Sequence, residues 1–151
     1  MHRSGLSLTA PWGIALLRVV TGIIFLMHGQ QKLFEFGIGG VTGMLTGLGF
    51  PAPGFMAIVL TLVEVVGGIA LIVGAFTRIA AILVAIDVLV AFFLVHLPNG
   101  FFVSNGGVEL VLILATAGVT LFLTGPGAMA LDSRLPMERR LQSSGLSPAS
   151  R

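Results

Sequence analysis

Residues 55–76 read FMAIVLTLVEVVGGIALIVGAF, and this stretch decides the fold. Glu64 is its single charged residue. At about 1.5 Å rise per residue, a helix of this length covers the roughly 30 Å hydrocarbon core of a bilayer. The run lacks period-two alternation and is longer than a barrel strand, so it reads as a helix. Three more segments read the same way: Trp12 to Leu33, Ile79 to Leu97 and Val108 to Thr124. The sequence therefore predicts an all-α integral membrane protein, a four-helix transmembrane bundle.

Composition agrees. Of 151 residues, 56% are hydrophobic and only 9% are charged. The mean hydropathy is +1.06. A soluble domain carries about 25% charged residues. Too few charges remain here to coat a water-facing surface, so the lipid bilayer is the expected first partner. The net charge of +2 comes from scattered arginines, mostly at the ends. That is no nucleic-acid footprint, which needs a clustered basic face. Basic residues beside apolar spans fit anionic lipid headgroups instead. Cysteine and tyrosine are absent. Disulfides, thiolate metal sites and a CxxC redox centre within this chain are thereby excluded, as is a tyrosyl radical.

Arginine and lysine placement sets the orientation. With four alternating helices, Arg3, Arg78, Arg134, Arg139, Arg140 and Arg151 share one side, and Lys32 lies near a helix end on the other. Both the N- and C-termini are therefore expected in the cytoplasm. Trp12 then anchors the inner interface. Residues 1–11 form a cytoplasmic N-terminus, 12–132 the membrane domain, and 133–151 a polar cytoplasmic tail, partly disordered. His2 and Arg3 before an apolar run resemble a signal peptide, but Arg18 interrupts that run, so the segment reads as a retained helix. Gly74 to Arg78 is a tight turn with Thr77 as N-cap of the third helix. The glycine-rich connection from Phe34 to Gly54 has room for a short interfacial or re-entrant helix around Val41 to Leu48.

Ionisable residues inside a span are costly unless paired or hydrated, so each needs an account. At about 100° per residue, Arg18, Gly22, Phe25, Gly29 and Lys32 lie close to one line that should face the bundle interior. Arg18 and Glu64 fall at similar depth on antiparallel helices and are expected to form a buried ion pair. Asp87, near the midplane of the third helix, joins them in a charge cluster. At the outer mouth, His28, Lys32, His96, Asn99 and Glu109 are expected to converge on a ligand. Glu109 shares a stripe with Thr116 and Thr120. Asp87 and His96 are on opposite faces of a straight helix, so both point inward only if the helix ends or bends near His96. Two histidines suit haem in number, but nothing else marks a haem pocket. No close ligand motif supports a metal, so the metal expectation is none. No catalytic residue is assigned.

The order of the motifs resembles one family. The run His28-Gly29-Gln30-Gln31-Lys32-Leu33-Phe34 is similar to the HGxxKLF signature of DoxX-family membrane proteins. Gly49-Phe50-Pro51-Ala52-Pro53, Glu64-Val65-Val66-Gly67-Gly68, Gly74-Ala75-Phe76-Thr77-Arg78 and His96 with Asn99-Gly100-Phe101-Phe102 follow in the family's order. Glu109 opens the last helix, and Gly125-Pro126-Gly127 precedes Ala130-Leu131-Asp132. There are two departures: Leu110 stands where the family often has an aromatic residue, and Asp87 is not part of the family pattern, so its expected role rests on depth alone. The resemblance spans about residues 14 to 132. It implies a four-helix, multi-pass protein of the bacterial inner membrane that carries an oxidoreductase label. Relatives include a subunit of a thiosulfate:quinone oxidoreductase.

Two function classes follow. In the first, the bundle is a quinone-linked membrane subunit of a redox system, with His28, Lys32, His96 and Glu109 near the ligand. The chain shows no electron carrier of its own, so a redox partner protein is implied, with a homo-oligomer as a further partner. In the alternative, the protein is a non-catalytic scaffold or stress-response protein whose buried charges only hold helices together. A weaker reading is a proton or small-solute pathway through Arg18, Glu64 and Asp87.

Overall fold

The computed structural model describes residues 6–134. The expected tail beyond Arg134, its disorder, and the arginines at 3, 139, 140 and 151 lie outside the described residues. Among the described residues every regular element is helical. The long ones are α1 (Leu6–Gln31), α2 (Gly37–Gly47), α3 (Pro53–Val73), α4 (Thr77–Ala91) and α5 (Glu109–Thr124).

Apolarity makes these helices and lipid covers them. Three helical stretches are long and apolar enough to cross a membrane: Thr9–Gly47, Pro53–Val73 and Thr77–Asn99. The fourth, α5, is apolar and shorter, at 16 residues. Their exposed side chains are themselves apolar, with Leu16 67% exposed and Leu123 66%. In water such a surface would aggregate; in a bilayer it is solvated. The expected anchor Trp12 is exposed as well.

α1 packs most extensively on α3, and α4 on α5; α3 also meets α4 and α1 meets α5, which closes a four-helix ring. α2 lies outside that ring against α3. Small residues set the closest approach, as expected where helices meet in lipid. A Cβ on Gly68 would sit 2.6 Å from the Leu26 backbone nitrogen, and one on Gly22 would sit 2.7 Å from the Gly68 carbonyl oxygen. Between α4 and α5, Gly118 lies against Ala81 and Ala85.

Several element boundaries differ from expectation. The first helix starts at Leu6, ahead of Trp12. It runs into a wide π-helical turn, Lys32–Phe36, and stops at Gly37, whose φ of 65° no ordinary side chain favours. α2 spans Gly37–Gly47 in place of the short helix expected at 41–48, and it packs Val41 and Leu45 on Ala57. α4 likewise ends in a π-helical turn, Phe92–His96, then a short 3-10 turn, Leu97–Asn99.

Thr77 is not the N-cap of α4. It is the first helical residue, and its hydroxyl makes no hydrogen bond. The capping group comes from the distant Asp132, whose carboxylate accepts the backbone N–H groups of Phe76 and Thr77, the latter at 2.8 Å. A carboxylate at a helix N-terminus satisfies orphan donors and complements the helix dipole. At the same end, Arg78 donates to the Phe122 and Leu123 carbonyls in the last turn of α5. A cation there answers the opposite dipole end.

Candidate functional site

The interior stripe of α1 is where the periodicity puts it. Arg18 is 2% exposed and Phe25 3%, and Gly22 and Gly29 are buried. Its two charges, however, serve opposite ends of the bundle. Lys32 Nζ lies 2.8 Å from both Glu64 carboxylate oxygens and is aligned to donate to Oε1. Arg18 donates to the carbonyls of Pro126 at 2.8 Å, Met129 at 3.3 Å and Ala128 at 3.4 Å. The expected Arg18–Glu64 ion pair is therefore absent.

Helix register explains the correction. Gly29 backs on Glu64 and Val65, Gly22 on Gly68 and Ile72, and Arg18 reaches Gly74. Roughly ten residues of α3, about 15 Å of helix, separate Gly74 from Glu64. Arg18 finds carbonyls nearby in the Gly125–Met129 segment, which folds back over that end. Ala128 N–H bonds to the Pro11 carbonyl and Asp132 N–H to the Gly74 carbonyl, holding the segment there.

Glu64 and Lys32 border a cavity of about 620 Å³. That is the size range of a site for a small organic ligand. Most of its wall is apolar, supplied by Phe25, Val88, Val111, Leu114 and the inner face of α2. His28, Lys32, Glu64, Asp87 and His96 also line it. Asp87 thus joins Glu64 and Lys32 rather than Arg18. The two clusters expected from sequence, one at the midplane and one at the outer mouth, exchange members and merge into this one site.

His96 and Asp87 share the cavity because the chain does not continue as a regular α-helix from one to the other. The π-helical turn Phe92–His96 widens the helix and changes the phase between the two residues. The α-helix proper ends at Ala91, ahead of His96, and that change lets both residues line the cavity. Lys32 opens the matching π-helical turn on α1, so both wide turns contribute cavity residues. His96 is held by its Nδ1, 2.7 Å from the Gly106 carbonyl oxygen. His28 Nδ1 lies 2.9 Å from the Ile24 carbonyl oxygen.

Asn99 and Glu109 are not on the cavity wall. Asn99 Nδ2 donates to the Val95 carbonyl at 3.0 Å and pins the loop. Glu109 sits in the first turn of α5, where its charge complements the helix dipole. The Glu109–Thr116–Thr120 stripe is turned from the cavity, since α5 buries Val111, Leu114, Ala115 and Gly118 instead. Thr116 is exposed, and its hydroxyl donates back to the Leu112 carbonyl at 2.8 Å. Among the described residues, no group of three His, Asp or Glu side chains comes together to hold a metal ion.

Two contributions escaped the sequence reading. α2 with its C-cap Leu48 supplies Val41, Met44, Leu45 and Leu48 to the cavity wall. Their i, i+3, i+4, i+7 spacing marks a helix face and was the available signal. Asp132 had no such signal, because its partners are 55 and 56 residues away.

The DoxX family model matches residues 13–97. The chain belongs to the DoxX family. An uncharacterised protein of Haemophilus influenzae is 38% identical over 128 residues, covering 82% of this chain and 91% of that one. The Bacillus subtilis protein named "Putative oxidoreductase CatD" is 38% identical over 120 residues, covering 80% and 84%. The Escherichia coli inner membrane protein YqjF is 30% identical over 125 residues, covering 82% and 92%. No solved structure matches this chain. The matched stretch carries Lys32, Glu64, Asp87 and His96, so this DoxX protein keeps most of its cavity within the family core.

Proposed function

We propose that this DoxX protein is a membrane subunit of a redox system, and that its cavity binds a quinone or a similar apolar aromatic. The observation that carries the proposal is the cavity itself: about 620 Å³, mostly apolar, with five ionisable side chains on its wall. An apolar body fits the walls, and a few polar groups orient it. The name of the Bacillus subtilis relative points the same way. The chain has no cysteine, and the electrons come from or go to a partner that carries a cofactor. The protein sits in the bacterial inner membrane with four spans, α5 being the fourth, and with both ends in the cytoplasm. Two E. coli relatives named as inner membrane proteins support the location. The arginine-rich end, with Arg18, Arg78 and the Asp132 segment, supports the orientation.

The test is purification in mild detergent from native membranes, followed by solvent extraction and absorbance spectroscopy. Bound quinone, or saturable uptake of added quinone, is the expected result. A protein that is quinone-free and indifferent to added quinone overturns it.

The Lys32–Glu64 pair also favours a second reading, a scaffold in which the charges only clamp α1 to α3. In that case variants lose function only in step with abundance. Loss of function in His96→Phe at normal abundance excludes the scaffold.

A further inference from the structure

The polar groups on the cavity wall are mostly hydrogen-bond acceptors. Each histidine places Nδ1 against a backbone carbonyl, Ile24 for His28 and Gly106 for His96. A carbonyl only accepts, so Nδ1 carries the proton, and in the neutral ring Nε2 is left as an acceptor. Glu64 is 5% exposed, and Lys32 Nζ lies 2.8 Å from both its oxygens, aligned on Oε1; Oε2 is ion-paired and keeps lone-pair capacity for a donor. Asp87 makes no hydrogen bond or ion pair among the described residues. The donors are fewer and engaged. Lys32 is turned onto Glu64, and Gln31 Nε2 donates to Glu35 at 3.1 Å.

We infer that the cavity prefers the reduced, dihydroxy form of its aromatic ligand, a quinol, over the oxidised dicarbonyl form. The inference rests on the aromatic-ligand reading above and adds its redox state. A quinol brings two O–H donors to a wall of acceptors. A quinone brings two more acceptors and offers Asp87 and the two histidine Nε2 atoms no donor. Unpaired buried acceptors are penalised, and sites built around them discriminate against analogues that lack the donor. One charge-assisted hydrogen bond is enough for a preference of about tenfold.

The experiment is anaerobic equilibrium dialysis of the full-length protein in detergent. The probes are duroquinol, duroquinone and the dimethyl ether of duroquinol. The ether keeps the ring and cannot donate. Duroquinol is expected to bind about tenfold tighter than either. Asp87→Asn should narrow the gap, because the amide supplies a donor in place of a carboxylate oxygen. His96→Phe, which removes another acceptor, gives the same readout should Asp87→Asn fail to fold. Duroquinone binding as tightly as duroquinol overturns the inference and leaves the aromatic-ligand reading standing. The ether matching duroquinol does the same, since ring burial alone then sets affinity. If no probe binds, both readings fall.

Discussion

Lys32 Nζ lies 2.8 Å from both carboxylate oxygens of Glu64 and ties α1 to α3 at the wall of the cavity. Both side chains are largely buried, 15% and 7% exposed. Removing one partner strands the other charge in a poorly hydrated site. Lys32→Met and Glu64→Gln are each expected to lose about 3–5 kcal/mol of stability. The double variant Lys32→Met with Glu64→Leu should recover most of that loss, because an apolar pair carries no desolvation cost. Thermal unfolding in detergent measures this. A double variant as unstable as the sum of the singles would show that the pair is not a unit.

Asp132 is 1% exposed and caps α4 through two backbone N–H groups. Asp132→Ala should lower stability by about 1–2 kcal/mol, the usual cost of losing a cap. The cap lies away from the cavity wall, so the affinity of the folded variant for duroquinol should stay unchanged. Reduced affinity at full folding would mean that this end of the bundle is coupled to the cavity.

The sequence exposed the helices far better than it exposed their register. Apolar runs located α3 and α4 closely, and the α1 stripe from Arg18 to Lys32 was read on the correct face. Register along the axis is another matter. It is set by where Gly22 and Gly29 find Gly68 and Val65, a contact between two helices that neither helix encodes alone. The misplaced Arg18–Glu64 pair followed from that. The merging of the two polar clusters followed from the π-helical turns at Lys32–Phe36 and Phe92–His96, which a constant turn of about 100° per residue does not contain. Depth and the stripe shared with Thr116 and Thr120 put Glu109 at the mouth, but a stripe on one helix does not say which neighbour it faces. Its azimuth was decided by the small residues Ala115 and Gly118, which α5 turns inward.

Glycines in this chain divide into two kinds, and the division can be measured. Gly68 is a contact glycine, with Leu26 backbone 2.6 Å from any added Cβ. Gly68→Ala forces α1 and α3 apart and should destabilise by about 1–3 kcal/mol, the range for overpacking. Gly43 lies inside α2 with nothing within 4 Å of an added Cβ. Gly43→Ala should be neutral or stabilise by up to about 1 kcal/mol, since alanine favours the helix. Equal losses in both variants would place an unseen neighbour on the exposed face of α2.

His96 and Glu109 separate the cavity from the helix end beside it. His96 lines the cavity and Glu109 does not. His96→Phe keeps the ring volume and removes the polar atoms. The Gly106 carbonyl then loses its 2.7 Å partner, but Asn99 Nδ2 is already within 3.5 Å of that oxygen and can take over the bond. The fold should therefore survive, with duroquinol affinity reduced roughly three- to tenfold for one lost hydrogen bond. Glu109→Gln keeps the volume at the start of α5 and should change stability by less than about 1 kcal/mol through the helix dipole. Its duroquinol affinity should match the parent protein. Equilibrium dialysis beside thermal unfolding reads both effects. If Glu109→Gln weakened binding as much as His96→Phe, the ligand would have to reach beyond the cavity to the start of α5, and the boundary drawn by the π-helical turn of α4 would be the wrong one.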